Sequence, residues 1–195
     1  MIRWCYTGDT AKAEEAFKPI RQVLAAADGL LPGRFRSRCC RACSTRLYPA
    51  GLQWYWKADF FQELSDKAID LHVKYARASA QRALHDAPLP DQRRRAAGRR
   101  AGDTAFSFRD ANFAEVIVGV DPDPANNPRL MQWAKDYWLA LHPFSSGGGY
   151  INMMMDEGED NVKTAYRDNF ARLAQVKKKY DPSNLFRVNQ NIKPG

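Results

Sequence analysis

Among the side chains able to do chemistry, the most informative group is Gly147-Gly148-Gly149-Tyr150-Ile151-Asn152. Consecutive glycines let backbone approach a ligand closely or turn tightly. The apolar residues that follow read as a strand from Tyr150 to Met154, and strand alternation would place Tyr150 and Asn152 on one face. A phenol beside a carboxamide can serve one pocket as an acid or base and as a positioning donor. Tyrosine and asparagine at this spacing also pack on strands without doing chemistry, so the pair alone leaves both readings open.

Other reactive groups favour structural roles. Cys40-x-x-Cys43, with Cys39 beside it and Cys5 distant, has no second ligand pair at zinc-like spacing. The histidines, His72, His85 and His142, are scattered. A redox pair would open a helix after a strand, whereas these cysteines lie in a patternless arginine-rich stretch. Met153-Met154-Met155 would alternate between the two faces of a strand and fill core space. Asp156-Glu-Gly-Glu-Asp160 precedes a helix and suits its positive N-terminal pole, while Lys177-Lys178-Lys179 suits the negative one.

The chain has 195 residues and a formal charge of +8, which by itself raises nucleic acid as a partner. Residues 34–46, however, hold five arginines and no acid, and residues 77–100 hold seven against Asp86 and Asp91. Together they carry ten net positive charges, leaving the remainder at −2. A uniformly basic nucleic-acid binder is therefore not expected. No apolar run reaches the roughly 18 residues of a membrane span. The start meets Asp9 too early for a signal-peptide apolar region, so the expected compartment is the cytoplasm.

The elements expected to position Tyr150 mix strands and helices irregularly. Ile2 to Tyr6 reads as a short strand, followed by a helix toward Ala27 that Pro19 kinks or divides. Leu52-Gln-Trp-Tyr-Trp56 is strand-like, and Ser65 can cap a helix through about Ala78 with Leu64, Ala68, Leu71 and Tyr75 on one stripe. Pattern returns at Thr104-Ala-Phe-Ser-Phe108, with a further strand at Ala114 to Val120 and a turn at Asp121-Pro-Asp-Pro124. A helix from about Pro128 to Leu141 carries Leu130, Trp133, Ala134, Tyr137 and Leu141 inward. After the loop from His142 to Gly149 and the Tyr150 strand, a helix spans about Asp160 to Tyr180, with a break near Asp168. The fold class is α+β, an antiparallel sheet covered by helices on one side. Neither a dinucleotide-binding nor a phosphate-loop glycine motif occurs.

The run Pro143-Phe-Ser-Ser-Gly-Gly-Gly-Tyr-Ile-Asn152, with Ala165-Tyr166, Asn169-Phe170, Tyr180-Asp-Pro-Ser-Asn-Leu-Phe-Arg187 and Asn189-Gln-Asn-Ile192, resembles the C-terminal region of berberine-bridge-enzyme-like FAD-linked oxidases. Cys5-Tyr-Thr-Gly-Asp9, Tyr48-Pro-Ala-Gly51, Tyr55-Trp-Lys57, Glu63-Leu-Ser-Asp66, and Thr104-Ala-Phe106 with Arg109 resemble the family's substrate domain. The resemblance implies a partial substrate domain of a vanillyl-alcohol-oxidase-type flavoprotein at 1–142 and a berberine-like region at 143–195. It also implies an FAD-dependent oxidoreductase passing hydride from a small organic substrate to flavin N5. Tyr150 would be the base that takes the substrate's hydroxyl proton. A free phenol ionises near pH 10, so that role calls for a neighbouring charge or donor. Asn152, Asn189 and Asn191 would lie toward the cofactor.

Two departures accompany the resemblance. The family's N-terminal FAD-binding domain has no counterpart, so the chain is expected to be a portion of a larger protein, inactive alone, with that domain as its missing partner. The stretches at about 32–46 and 79–100 do not resemble the family. Shifted reading of GC-rich codons can give family-like sequence for both, so a frame change would make their arginines and cysteines accidents of translation. Two rivals predict differently: a small basic nucleic-acid-binding protein using the arginine segments, and a noncatalytic scaffold module keeping only the fold.

Overall fold

The structure, a computed structural model, describes residues 9–23, 50–78, 100–156 and 158–195. Several sequence expectations therefore lie outside the described residues: the strand at Ile2 to Tyr6, the cysteine cluster, His85, and nearly all of both arginine-rich stretches. Two compact units divide the chain, one formed by Arg3–Gly51 and the other by Leu52–Gly195 with Met1–Ile2. In the first, helix α1 (Ala13–Val23) runs through Pro19 without dividing. Asp9 Oδ1 accepts from the Ala11 N–H at 3.0 Å just ahead of it.

In the second unit, β1 (Gln53–Phe61) pairs antiparallel with β2 (Phe113–Asp121), from Gln53 opposite Asp121 to Phe61 opposite Phe113. The aromatic run begun at Leu52 thus continues five residues past the expected Trp56. Alternation sends Tyr55 and Phe61 to one face with Ile117 and Phe113. Helices α2 (Asp66–Ala78) and α3 (Asn127–Leu141) cover that face. Ala68, Leu64, Leu71 and Tyr75 arrive from α2 and its approach, while Leu130, Ala134, Tyr137 and Leu141 arrive from α3. Gly119 is where Leu130 enters, for a Cβ there would stand 2.7 Å from Leu130 Cγ. Ser65 Oγ accepts from the Ala68 N–H at 3.3 Å, capping α2 as expected.

The opposite face carries Val116, Val118 and Val120, flanked by Leu52, Trp54, Trp56 and Met153. Trp54 and Trp56 stack across this face at 5.8 Å. The turn after β2 is held by buried Asp121, whose Oδ1 accepts from the Asp123 N–H at 2.8 Å. The expected long terminal helix is two helices, α4 (Glu159–Tyr166) and α5 (Asn169–Tyr180), interrupted at Arg167–Asp168. Among the described residues, no helix is long and apolar enough to cross a membrane.

Two strand expectations need correction. Thr104 to Phe108 starts in a bend and joins no ladder; its Phe106 and Phe108 rings pack on Phe60 instead. Tyr150 to Met154 is not a strand either, because Ile151–Met153 forms a 3-10 turn closed by the Met153 N–H on the Tyr150 carbonyl at 2.8 Å. The chain leaves the sheet before this segment. Ser146 N–H still bonds to the Phe60 carbonyl at 2.7 Å, but Gly147 and Gly148 then take φ of 73° and 81°. The apolar Ile-Met-Met run had the composition of a strand without a partner to pair with. Its methionines still divide between the two sheet faces, Met153 packing beside the valines and Met155 against the helix-covered core.

Candidate functional site

Tyr150 stands at the end of a loop that wraps the edge of β1. The loop starts at His142 on the helix-covered face. There His142 Nδ1 lies 2.8 Å from Asp59 Oδ2, and the two rings of Trp138 and His142 are 4.3 Å apart. Ser145 Oγ accepts from the Gly147 N–H at 3.0 Å, and Ser146 bonds to β1 as described. At Gly149 the loop lies directly on the strand, since a Cβ there would come within 2.5 Å of the Ala58 carbonyl oxygen. Only glycine permits that approach. The following residue emerges on the other face, where Tyr150 meets the edge of Phe106 at 6.2 Å and Phe106 in turn meets Phe60 at 5.7 Å.

Tyr150 is 36% exposed, leaving it open to a ligand. Asn152 Nδ2 donates to Tyr150 Oη at 2.9 Å. The phenol and carboxamide expected on one strand face are therefore neighbours, brought together by a turn. The burial of Tyr166 raises its own phenol, with an added contribution from the charge of nearby Tyr150. Arg109 lies over the Phe106 ring at 5.6 Å and donates to Thr104 Oγ1.

The tail is tied to the same segment by a different residue from those expected. Gln190 Nε2 donates to the carbonyls of Met154 at 3.1 Å and Met155 at 3.0 Å. Asn189, with φ of 64°, is exposed, and its carbonyl accepts from the Asn191 N–H at 2.9 Å. Asn191 faces a groove of about 270 Å³ between α5 and the tail, lined also by Leu173, Val176, Phe186 and Ile192. Its Oδ1 is buried and makes no hydrogen bond among the described residues. The structure thus joins Tyr150 to Asn152 but shows no contact from either tail asparagine to that pair. Lys193 Nζ, 2.8 Å from Glu159, secures the tail to α4 and helps hold that exposed carboxyl below its ordinary range.

Sequence reasoning missed a second polar cluster, on the helix-covered face. Asp59 and Glu115 are cross-strand partners, both buried. Burial pushes Asp59 up to about 6 against the lowering influence of His142, and burial together with the Asp59 charge pushes Glu115 up to about 8. His72 Nδ1 is 3.4 Å from Glu115 and 2.6 Å from Tyr137 Oη, and burial also raises the Tyr137 phenol. Lys57 Nζ lies 4.4 Å over the Trp138 ring. Strand register and the packing of α2 and α3 bring these separated residues together; their individual types gave no signal. Among the described residues, no group of three His, Cys, Asp or Glu could hold a metal ion.

Residues 149–193 match the family described as berberine and berberine like, a match that opens one residue before Tyr150. The match is a likeness of that segment, 45 of the 195 residues. Sequence relatives extend the relationship to FAD-linked oxidoreductases. One from Bacillus subtilis (strain 168), YvdP, is 47% identical over 92 residues, 47% of this chain and 20% of the relative. One from Dictyostelium discoideum is 31% identical over 91 residues, again 47% of this chain and 20% of the relative. The matched part of this chain thus spans about a fifth of those proteins. Aclacinomycin oxidoreductase shares the fold, with a TM-score of 0.72 and 17% identity, covering 96% of this chain and 43% of its own. The α+β expectation agrees with that likeness. The curated relatives are named as FAD-linked oxidoreductases.

The side chains suit a polar ring system such as a flavin. An exposed phenol, an amide already directed at it, and a buried Asn191 oxygen without a partner among the described residues provide both donors and acceptors.

Proposed function

We propose that this chain supplies the substrate side of an FAD-dependent oxidoreductase acting on a small organic substrate, with residues 1–142 as substrate domain and 143–195 as the berberine-like region. One observation carries the reading. The Tyr150 phenol, directed by Asn152, is exposed on the sheet face opposite α2 and α3, inside the segment that matches the berberine-like family.

In this reading Tyr150 Oη takes the proton from a substrate hydroxyl while the neighbouring carbon gives up hydride. Bound FAD supplies the hydride acceptor. Asn152 holds the phenol through one N–H, leaving its oxygen able to face the substrate, and the aromatic surface formed by Phe106 and Phe60 keeps water from one side of the phenol. Asn189 and Asn191 are assigned to the cofactor side, Asn191 through its unpaired Oδ1. Positioned acid–base groups contribute about 10²–10⁴-fold to rate.

The chain alone is inactive in this reading, so the test joins it to an N-terminal FAD-binding domain, loads FAD, and mixes it anaerobically with panels of alcohols, sugars and amines while flavin absorbance is followed. Bleaching by one class supports the reading and identifies the substrate class. A folded joined protein whose flavin no panel member reduces contradicts it, and flavin reduction by the chain alone contradicts its inactivity.

A further inference from the structure

We propose that Arg167 is a positioning residue for Tyr150, held in an unfavourable backbone conformation so that its guanidinium can fix the loop and the ring stack that deliver the phenol. The inference rests on Tyr150 being the reacting phenol.

Arg167 has φ 48° and ψ −133°, a region that residues with a Cβ avoid. Among the described residues the other non-glycine residues with positive φ are Asn184 and Asn189, and asparagine tolerates left-handed backbone. Arginine has no such tolerance. The backbone duties at this position need no side chain: the Arg167 N–H ends α4 on the Lys163 carbonyl at 2.8 Å, and its carbonyl receives the Phe170 N–H at 3.1 Å as α5 begins. Glycine would perform both with less strain. What arginine adds lies beyond the backbone.

Its guanidinium sits 3.7 Å over the Phe108 ring, while Nη2 donates to the Ser146 carbonyl at 3.0 Å and Nη1 approaches Asp110 at 3.4 Å. The Asp110 pair is exposed and contributes little. The other two contacts lead to Tyr150 by separate routes. Through Ser146, whose N–H is bonded to β1, Arg167 clamps the peptide four residues before the phenol. Through Phe108, stacked on Phe60 at 4.5 Å, it supports the rings that end at Phe106 and Tyr150. Gly148 passes between Phe108 and α4 without slack, for a Cβ there would be 2.8 Å from Phe108 Cζ and 3.1 Å from the Thr164 carbonyl. A planar fork that stacks and donates at once is a property of arginine that lysine lacks.

Arg167→Gly and Arg167→Lys separate positioning from ordinary stabilisation. Both are compared with the unmodified chain by thermal unfolding and by hydrogen exchange at the Ser146 amide. The glycine variant, relieved of strain, should unfold at or above the parent's midpoint while Ser146 exchanges at least tenfold faster. The lysine variant keeps the strain and loses the fork, so its midpoint should fall and Ser146 exchange should rise similarly. Ser146 exchange within twofold of the parent in the glycine variant overturns the proposal, as does a midpoint lowered as far as that of the lysine variant. If the glycine variant does not fold, unchanged Ser146 exchange in the lysine variant overturns it. This readout does not use Tyr150 chemistry. A Tyr150→Phe variant with intact turnover would remove the base assignment and leave the positioning result standing.

Discussion

Replacing Glu115 with glutamine should make the protein more resistant to alkaline pH. The carboxyl is buried on the helix-covered sheet face, opposite Asp59, and its value is pushed from 4.5 to about 8. Each pH unit of such a change corresponds to about 1.4 kcal/mol, so the whole amounts to about 5 kcal/mol. Because the folded-state value is raised, the associated stability is complete below pH 4.5 and is lost as pH rises toward 8. Asp59 acts in the same direction over a lower window, between 3.8 and about 6. Above pH 6 the loss therefore belongs mainly to Glu115, about 3 kcal/mol between pH 6 and 8.5. Glutamine has nearly the same shape and no proton to lose. Urea unfolding followed by tryptophan fluorescence at pH 5, 6, 7 and 8.5 measures the difference, since Trp54, Trp56, Trp133 and Trp138 lie on the sheet and α3. The unmodified chain should lose stability across the upper half of this range while Glu115→Gln loses less than about 1 kcal/mol. Parallel pH curves for the two proteins would refute the raised carboxyl and the burial that explains it.

Four further changes probe the framework. Gly149→Ala should cost about 1–3 kcal/mol in urea unfolding and disturb Tyr150, because the new methyl meets the Ala58 backbone; Gly119→Ala, whose methyl meets Cγ and Cδ1 of buried Leu130, should also lower stability without disturbing Tyr150. Asn169→Ala removes an amide that reaches the Ala101 and Thr104 carbonyls and Ser107 Oγ at 2.8–2.9 Å, so stability should fall by about 2–3 kcal/mol. His142→Ala strips Asp59 of its imidazole partner, and the urea midpoint should drop most near neutral pH, where the buried carboxylate is charged; equal losses at pH 4.5 and 7.5 would contradict this.

The helices were legible because their signals are local. The Ser65 cap, the α2 stripe and the inward residues of α3 follow from periodicity over short stretches, and each recurs in the structure. The break near Asp168 was also legible, but the conformation of Arg167 was not, since no sequence rule places arginine at such a φ. The Tyr150 segment shows the opposite error. Its apolar residues have strand composition, yet pairing is a property of neighbours, and the glycines before it carry the chain off the sheet. Tyr150 and Asn152 nevertheless meet, because a 3-10 turn also brings residues two apart within hydrogen-bond reach. The Asp59, Glu115, His72 and His142 cluster depends on register and helix packing across up to 83 positions, beyond any motif.

The account depends most on Tyr150 as the proton acceptor. Stopped-flow measurement of flavin reduction in the FAD-loaded protein joined to an N-terminal FAD-binding domain, with and without Tyr150→Phe, tests it directly. The account predicts unchanged FAD binding and a reduction rate lower by at least about a hundredfold. Equal reduction rates for the two proteins would contradict it.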